Sequence, residues 1–87
     1  MFVLIMKPKA EKQLRKLPRH DQEKVAAAID RLAEDPFSGK KLEGDLDGYH
    51  SVRVWPYRII YSIEKKIVTV TVVAIGHRKD IYRRLER

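Results

Sequence analysis

The chain has 87 residues, no cysteine, and 19 Lys+Arg against 12 Asp+Glu for a formal charge of +7. It reads as one small basic domain over residues 1–87, in which folding removes only about two-thirds of the unfolded surface from water. Neither a disulfide framework nor a thiolate metal site supplements so thin a core, which suits a reducing cytoplasm. The charge favours an anionic partner such as nucleic acid or an acidic protein. It is concentrated at the end, where Arg78, Lys79, Arg83, Arg84 and Arg87 face only Asp80 and Glu86.

Met1 to Met6 is apolar, but it lacks a preceding basic region and is too short for a signal peptide or a membrane span. It predicts a buried first strand in a soluble, unexported chain. After Lys7-Pro8, the residues Ala10, Leu14 and Leu17 recur at i, i+4, i+7, the spacing of one helical face. Lys9, Lys12, Arg15 and Lys16 occupy the solvated positions. Pro18 interrupts this pattern and a second helix follows, with Val25, Ile29 and Leu32 as its stripe beside Ala26 and Ala33. Asp35-Pro36 ends it. Two amphipathic helices joined by a short break make a hairpin whose apolar faces need a sheet.

Residues 36–48 hold Pro36, Ser38, Gly39, Gly44 and Gly48, a turn-rich connection with no strand of useful length, pinned to the core by Leu42 and Leu46. From Tyr49 the period changes to two. Val52 and Val54 oppose Ser51, Arg53 and Trp55, and after Pro56 the set Tyr57, Ile59, Tyr61, Ile63 opposes Arg58, Ile60, Ser62. Ile67 to Ile75 is nearly all β-branched, which predicts the best-buried strand, entered through a turn at Lys65-Lys66 and ended by Gly76. Asp80 to Arg87 reads as a short basic helix.

The expected architecture is α+β: an N-terminal strand, a helical hairpin, then a three-strand antiparallel meander completing a four-stranded sheet, with a short C-terminal helix. The helices cover one face, and the other is free to bind.

Arginines recur inside the strands, and His77-Arg78 and Tyr82 follow the last of them. This points to RNA phosphate as substrate. Taken singly, exposed arginines on a sheet are most often solvated or paired with carboxylates such as Glu43, Glu64 or Asp80. Arg53, Arg58 and Arg78 together with Tyr82 favour the phosphate reading.

The segments Leu42-Glu43-Gly44, Gly48-Tyr49, Arg53-Val54, Tyr57-Arg58-Ile59-Ile60-Tyr61 and Ile75-Gly76-His77-Arg78-Lys79-Asp80-Ile81-Tyr82 resemble the RelE/ParE superfamily of toxin–antitoxin toxins, over essentially the whole chain. The resemblance implies an endoribonuclease, an mRNA interferase cutting messenger RNA in the ribosomal decoding site. It also implies a small acidic antitoxin partner in a toxin–antitoxin hetero-oligomer; no membrane association is expected, because no segment approaches membrane length. On that basis Arg53, Arg58, His77, Arg78 and Tyr82 are the candidate catalytic residues, with Lys79, Arg83 and Arg84 along the RNA backbone. Family members carry lysines where this chain has Ser51 and Arg53, and often where it has His77, so their proton-transfer scheme does not carry over.

RNA cleavage by its own 2′-hydroxyl needs an in-line geometry, stabilisation of added negative charge, and proton transfer at the entering and leaving oxygens. Arginines supply the charge, since a guanidinium is always protonated and grips phosphate with a planar fork. Histidine is the side-chain type that titrates near neutral pH, so His77 is a candidate acid or base. Tyr82 either transfers a proton or stacks on a base. No Gly-rich phosphate loop, metal-ligand cluster or nucleophile triad occurs in the sequence, so no cofactor is expected. Two rivals stand beside this reading: a ParE-like poison of DNA gyrase with no nuclease activity, and a non-catalytic RNA- or ribosome-binding module.

Overall fold

The computed structural model describes residues 1–82. Pro8, with its φ already helical and no N–H to satisfy, opens helix α1 (Pro8–Arg15) directly after strand β1 (Val3–Met6). Pro18 caps α2 (Arg19–Glu34). The tight link between them is held by Gln22, whose Nε2 donates to the carbonyls of Arg15 at 3.0 Å and Leu17 at 2.8 Å, two groups that the end of α1 leaves without helical partners.

Four further strands follow: β2 (Lys40–Lys41), β3 (Tyr49–Val54), β4 (Tyr57–Glu64) and β5 (Thr69–His77). They form a five-stranded mixed sheet in the order β1-β5-β4-β3-β2. β1 runs parallel to β5, and the other pairs are antiparallel. The α+β architecture agrees with the sequence expectation in its main strands and both helices, although β1 lies at the sheet edge with Val3 and Ile5 exposed rather than buried as expected. It gains a fifth strand, because Lys40 and Lys41 pair with Ser51 and His50 at the sheet edge.

The core lies between the helices and one sheet face. Ala10, Val25, Ala28, Ile29 and Leu32 pack there against Ile59, Tyr61, Val70, Val72 and Ile75. Ala28, rather than Ala26 or Ala33, completes the buried stripe of α2. Tyr61 is fully buried, and its hydroxyl donates to the Pro36 carbonyl at 2.8 Å. A side chain at Gly39 would sit 2.8 Å from the Ser51 carbonyl and run into the Tyr61 hydroxyl, so glycine is what lets the connection cross this tyrosine.

The far face is not bare, contrary to expectation. Leu42, Ile60, Ala74 and Ile81 form a second apolar cluster there, with Leu46, Tyr49 and Tyr82 packed against it. Strand β5 also begins later and ends later than its β-branched run suggests. Ile67 and Val68 belong to the preceding turn, with Val68 left-handed at φ 49°, and the strand continues through Gly76 to His77. Gly76 does not end the strand because its Cα still pairs with Arg58.

One irregularity decides which side chains share a face. Tyr61 pairs with Val72 and Ile60 with Ala74, leaving Val73 as an extra residue in β5. Side chains alternate along a strand, so this bulge reverses the alternation. Val70 and Val72 face the helices, and so does Ile75, while Ala74 joins the far face.

No helix among the described residues is long and apolar enough to cross a membrane.

Candidate functional site

Strands β3 and β4 form a hairpin turning at Trp55-Pro56, with a cis peptide bond between them. Because Val52, Val54, Ile59 and Tyr61 are drawn into the helical core, alternation sends Ser51, Arg53 and Arg58 to the far face. Arg53 and Arg58 are direct cross-strand partners, and Ser51 pairs with Ile60. Arg53 is exposed and Arg58 half-buried. Among the described residues neither makes an ion pair: the carboxylates expected to neutralise them, Glu43, Glu64 and Asp80, do not reach them.

The chain returns to this face after β5. Asp80 N–H donates to the His77 carbonyl at 2.9 Å, turning the chain so that Ile81 lies fully buried over Gly76. A methyl group at Gly76 would come within 2.9 Å of Ile81 Cδ1, so the missing side chain makes room for that return. Tyr82 follows. Its hydroxyl is 3.2 Å from Ser51 Oγ, and its ring lies under the Arg58 guanidinium at 5.9 Å. Arg58 Nη1 also makes a long hydrogen bond, 3.4 Å, to Ser51 Oγ.

Ser51, Arg53, Arg58 and Tyr82 thus come together on one face. Ser51 was not among the candidates from sequence. It is nearly fully buried, yet it joins arginine to tyrosine. Its position two residues before Arg53 on the same strand was the available signal.

His77 and Arg78 stand apart from that group. His77 pairs with Tyr57 across β4 and β5 and meets its ring edge-on at 6.4 Å, on the helical side of the sheet. Tyr57 is itself tied to α2, its hydroxyl donating to Asp21 Oδ2 at 2.6 Å, and this bond raises its pKa. His77 Nδ1 accepts the Lys79 amide at 3.3 Å. Arg78 sits at the hairpin tip, where its amide donates to the Pro56 carbonyl at 3.0 Å and its guanidinium lies 4.4 Å from the centre of the Trp55 ring. Lys79 is exposed. Arg83 and Arg84, and most of the expected terminal helix, lie outside the described residues.

The face therefore presents two positive charges across a hairpin and a phenol beside them, while the Arg78 guanidinium stands apart at the hairpin tip. Such a set can hold a phosphodiester and offset charge developing on it.

Known proteins resemble this chain in both sequence and fold. Residues 4–82 match the family described as the ParE toxin of the type II toxin–antitoxin system parDE. The chain is 39% identical over 77 residues to Toxin RelG of Mycobacterium tuberculosis, spanning 86% of this chain and 88% of that protein. With Toxin RelE of the same organism it is 35% identical over 80 residues, spanning 85% and 78%. The toxin–antitoxin complex RelBE2 of M. tuberculosis contains a chain that superposes with a TM-score of 0.83 at 29% identity, covering 88% of this chain and 98% of that one. The isolated RelE toxin of E. coli shares the fold, with a TM-score of 0.76 at 23% identity over 98% and 95%. With the family match running from the first strand to Tyr82, the chain belongs to the RelE/ParE family and is a toxin of a type II toxin–antitoxin system.

Proposed function

We propose that this toxin is a metal-independent endoribonuclease that stops translation by cutting messenger RNA in the ribosomal decoding site. The observation that carries the reading is the Arg53–Arg58 cross-strand pair with Tyr82 against it. Like charges placed directly opposite destabilise a sheet. A bound phosphate would turn that cost into a site.

In the reaction the 2′-oxygen attacks phosphorus and the bond to the 5′-oxygen breaks, leaving a 2′,3′-cyclic phosphate and a 5′-hydroxyl. Arg53 and Arg58 grip the non-bridging oxygens and offset the charge added in the transition state. Tyr82 delivers the proton to the departing 5′-oxygen, and the proton of the 2′-hydroxyl passes to water. Tyr82 is favoured over His77 in this role because it shares the arginine face, whereas His77 packs beside Tyr57 on the helical side. Arg78 and Lys79 meet the RNA backbone beyond the hairpin.

The toxin's partner is a small acidic antitoxin that silences it by covering the arginine face. The crystallised RelBE2 complex of the similar mycobacterial toxin and the net charge of +7 both support such a partner. The protein acts in the cytoplasm, where messenger RNA is translated.

Primer extension on a defined messenger RNA, with and without programmed ribosomes, tests the nuclease. Discrete cuts that need ribosomes and vanish with Arg58→Ala are expected. Cuts in naked RNA would remove the ribosome from the scheme. No cuts under either condition would overturn the nuclease and turn attention to gyrase inhibition.

A further inference from the structure

Trp55 is the chain's only tryptophan, 55% exposed, and it packs in neither apolar cluster. Burial does not explain so large an aromatic surface at a hairpin tip. Its surroundings are ordered and cationic instead. The Arg78 guanidinium lies 4.4 Å from the ring centre, Lys24 Nζ donates to the Trp55 carbonyl at 3.0 Å, and the Arg78 amide donates to the Pro56 carbonyl at 3.0 Å. Three elements therefore meet here: α2, the β3–β4 turn, and the segment after β5.

We infer that Trp55 and Arg78 form a stacking platform for a nucleobase of the bound RNA, next to the phosphate held by Arg53 and Arg58; the inference rests on the endoribonuclease reading. Aromatic faces and guanidinium planes are the surfaces on which unpaired RNA bases stack. Trp55 lies two positions past Arg53, about 7 Å along the chain. A nucleotide anchored by its phosphate at the arginine pair thus has its own base, or its neighbour's, within reach of the tip. Lys24 and Arg78 add charge for the adjoining backbone. Stacking tolerates every base, so the platform contributes affinity and register rather than a strict sequence code.

The single tryptophan makes the test direct. Wild-type protein is titrated with a 2′-O-methyl hexanucleotide, which lacks the attacking hydroxyl, and separately with polyphosphate of equal charge, following tryptophan fluorescence. Quenching by the oligonucleotide and not by polyphosphate is expected. Trp55→Ala should weaken oligonucleotide binding about tenfold by anisotropy, while Trp55→Phe retains most of it with an unchanged thermal midpoint. Under conditions that give cuts, Trp55→Ala should raise KM and leave kcat. A bound oligonucleotide that leaves the fluorescence unchanged would overturn the platform. So would a fall in kcat at constant KM, which would mean that Trp55 only holds Arg78. Quenching in a protein that cuts no RNA would keep the platform and sink the nuclease, and cleavage with unquenched Trp55 would do the reverse.

Discussion

Arg53 and Arg58 face each other as direct cross-strand partners on an otherwise well-paired hairpin, with no carboxylate bridging them among the described residues. Like charges so placed cost roughly 0.2–1 kcal/mol. Arg53→Thr removes the repulsion and substitutes a good strand former, so its thermal midpoint should rise by up to about 5 °C. Its cleavage rate should fall by about a hundredfold or more. A variant that is no more stable, or one that still cuts at the wild-type rate, would remove the argument that function keeps this pair.

Gln13 of α1 stands in for a missing strand. β1 pairs with β5 only as far as Met6 opposite Val72, so beyond the bulge the Ile75 amide has no strand neighbour on that side. Gln13 Oε1 accepts it at 2.8 Å. Gln13→Leu leaves that donor orphaned and should cost about 1–3 kcal/mol in urea unfolding. Gln13→Glu keeps an acceptor and should cost less. Equal losses in the two variants would show that packing, not the hydrogen bond, matters there.

Val68 adopts a left-handed conformation, φ 49°, in the turn before β5, although it is β-branched and largely exposed. Such a conformation costs about 1–2 kcal/mol for a residue with a Cβ. Asparagine tolerates it far better. Val68→Asn should therefore stabilise the protein by about 1 kcal/mol, read as a higher denaturant midpoint at constant slope. A lower midpoint would mean that the exposed valine packs against something worth more than the strain.

The pH dependence of stability has limits on both sides. Burial, then Lys41 and Lys65, lower the His50 pKa below its ordinary 6.5. The unfolded chain therefore takes up this proton first, and stability falls as pH drops below about 6.5. Tyr57 and Tyr61 are raised above their ordinary 10.0, the first chiefly by its bond to Asp21 and the second by burial. Here the unfolded chain loses the protons first, so stability declines as pH rises beyond about 10. His50→Gln should flatten the acid side in thermal melts from pH 5 to 8. An unchanged profile would assign that limb to other groups.

Much of the architecture was legible along the chain, because helices and strands announce themselves by period. The stripe of Val25, Ile29 and Leu32, the break at Pro18, and the alternation of Val52, Val54 and Ile59 each follow from short-range geometry. Arg53 and Arg58 were placed on one face by the same rule, since their neighbours are committed to the core. The bulge at Val73 could not be read this way. It depends on how β5 is shared between β1 and β4, and no local window contains that information, yet it sends His77 to the helical side. The return of Ile81 and Tyr82 over Gly76, the part taken by Ser51, and the meeting of Trp55 with Arg78 likewise join residues far apart in sequence. Periodicity states which way a side chain points relative to its own strand. Which distant side chain meets it is set only when the layers pack.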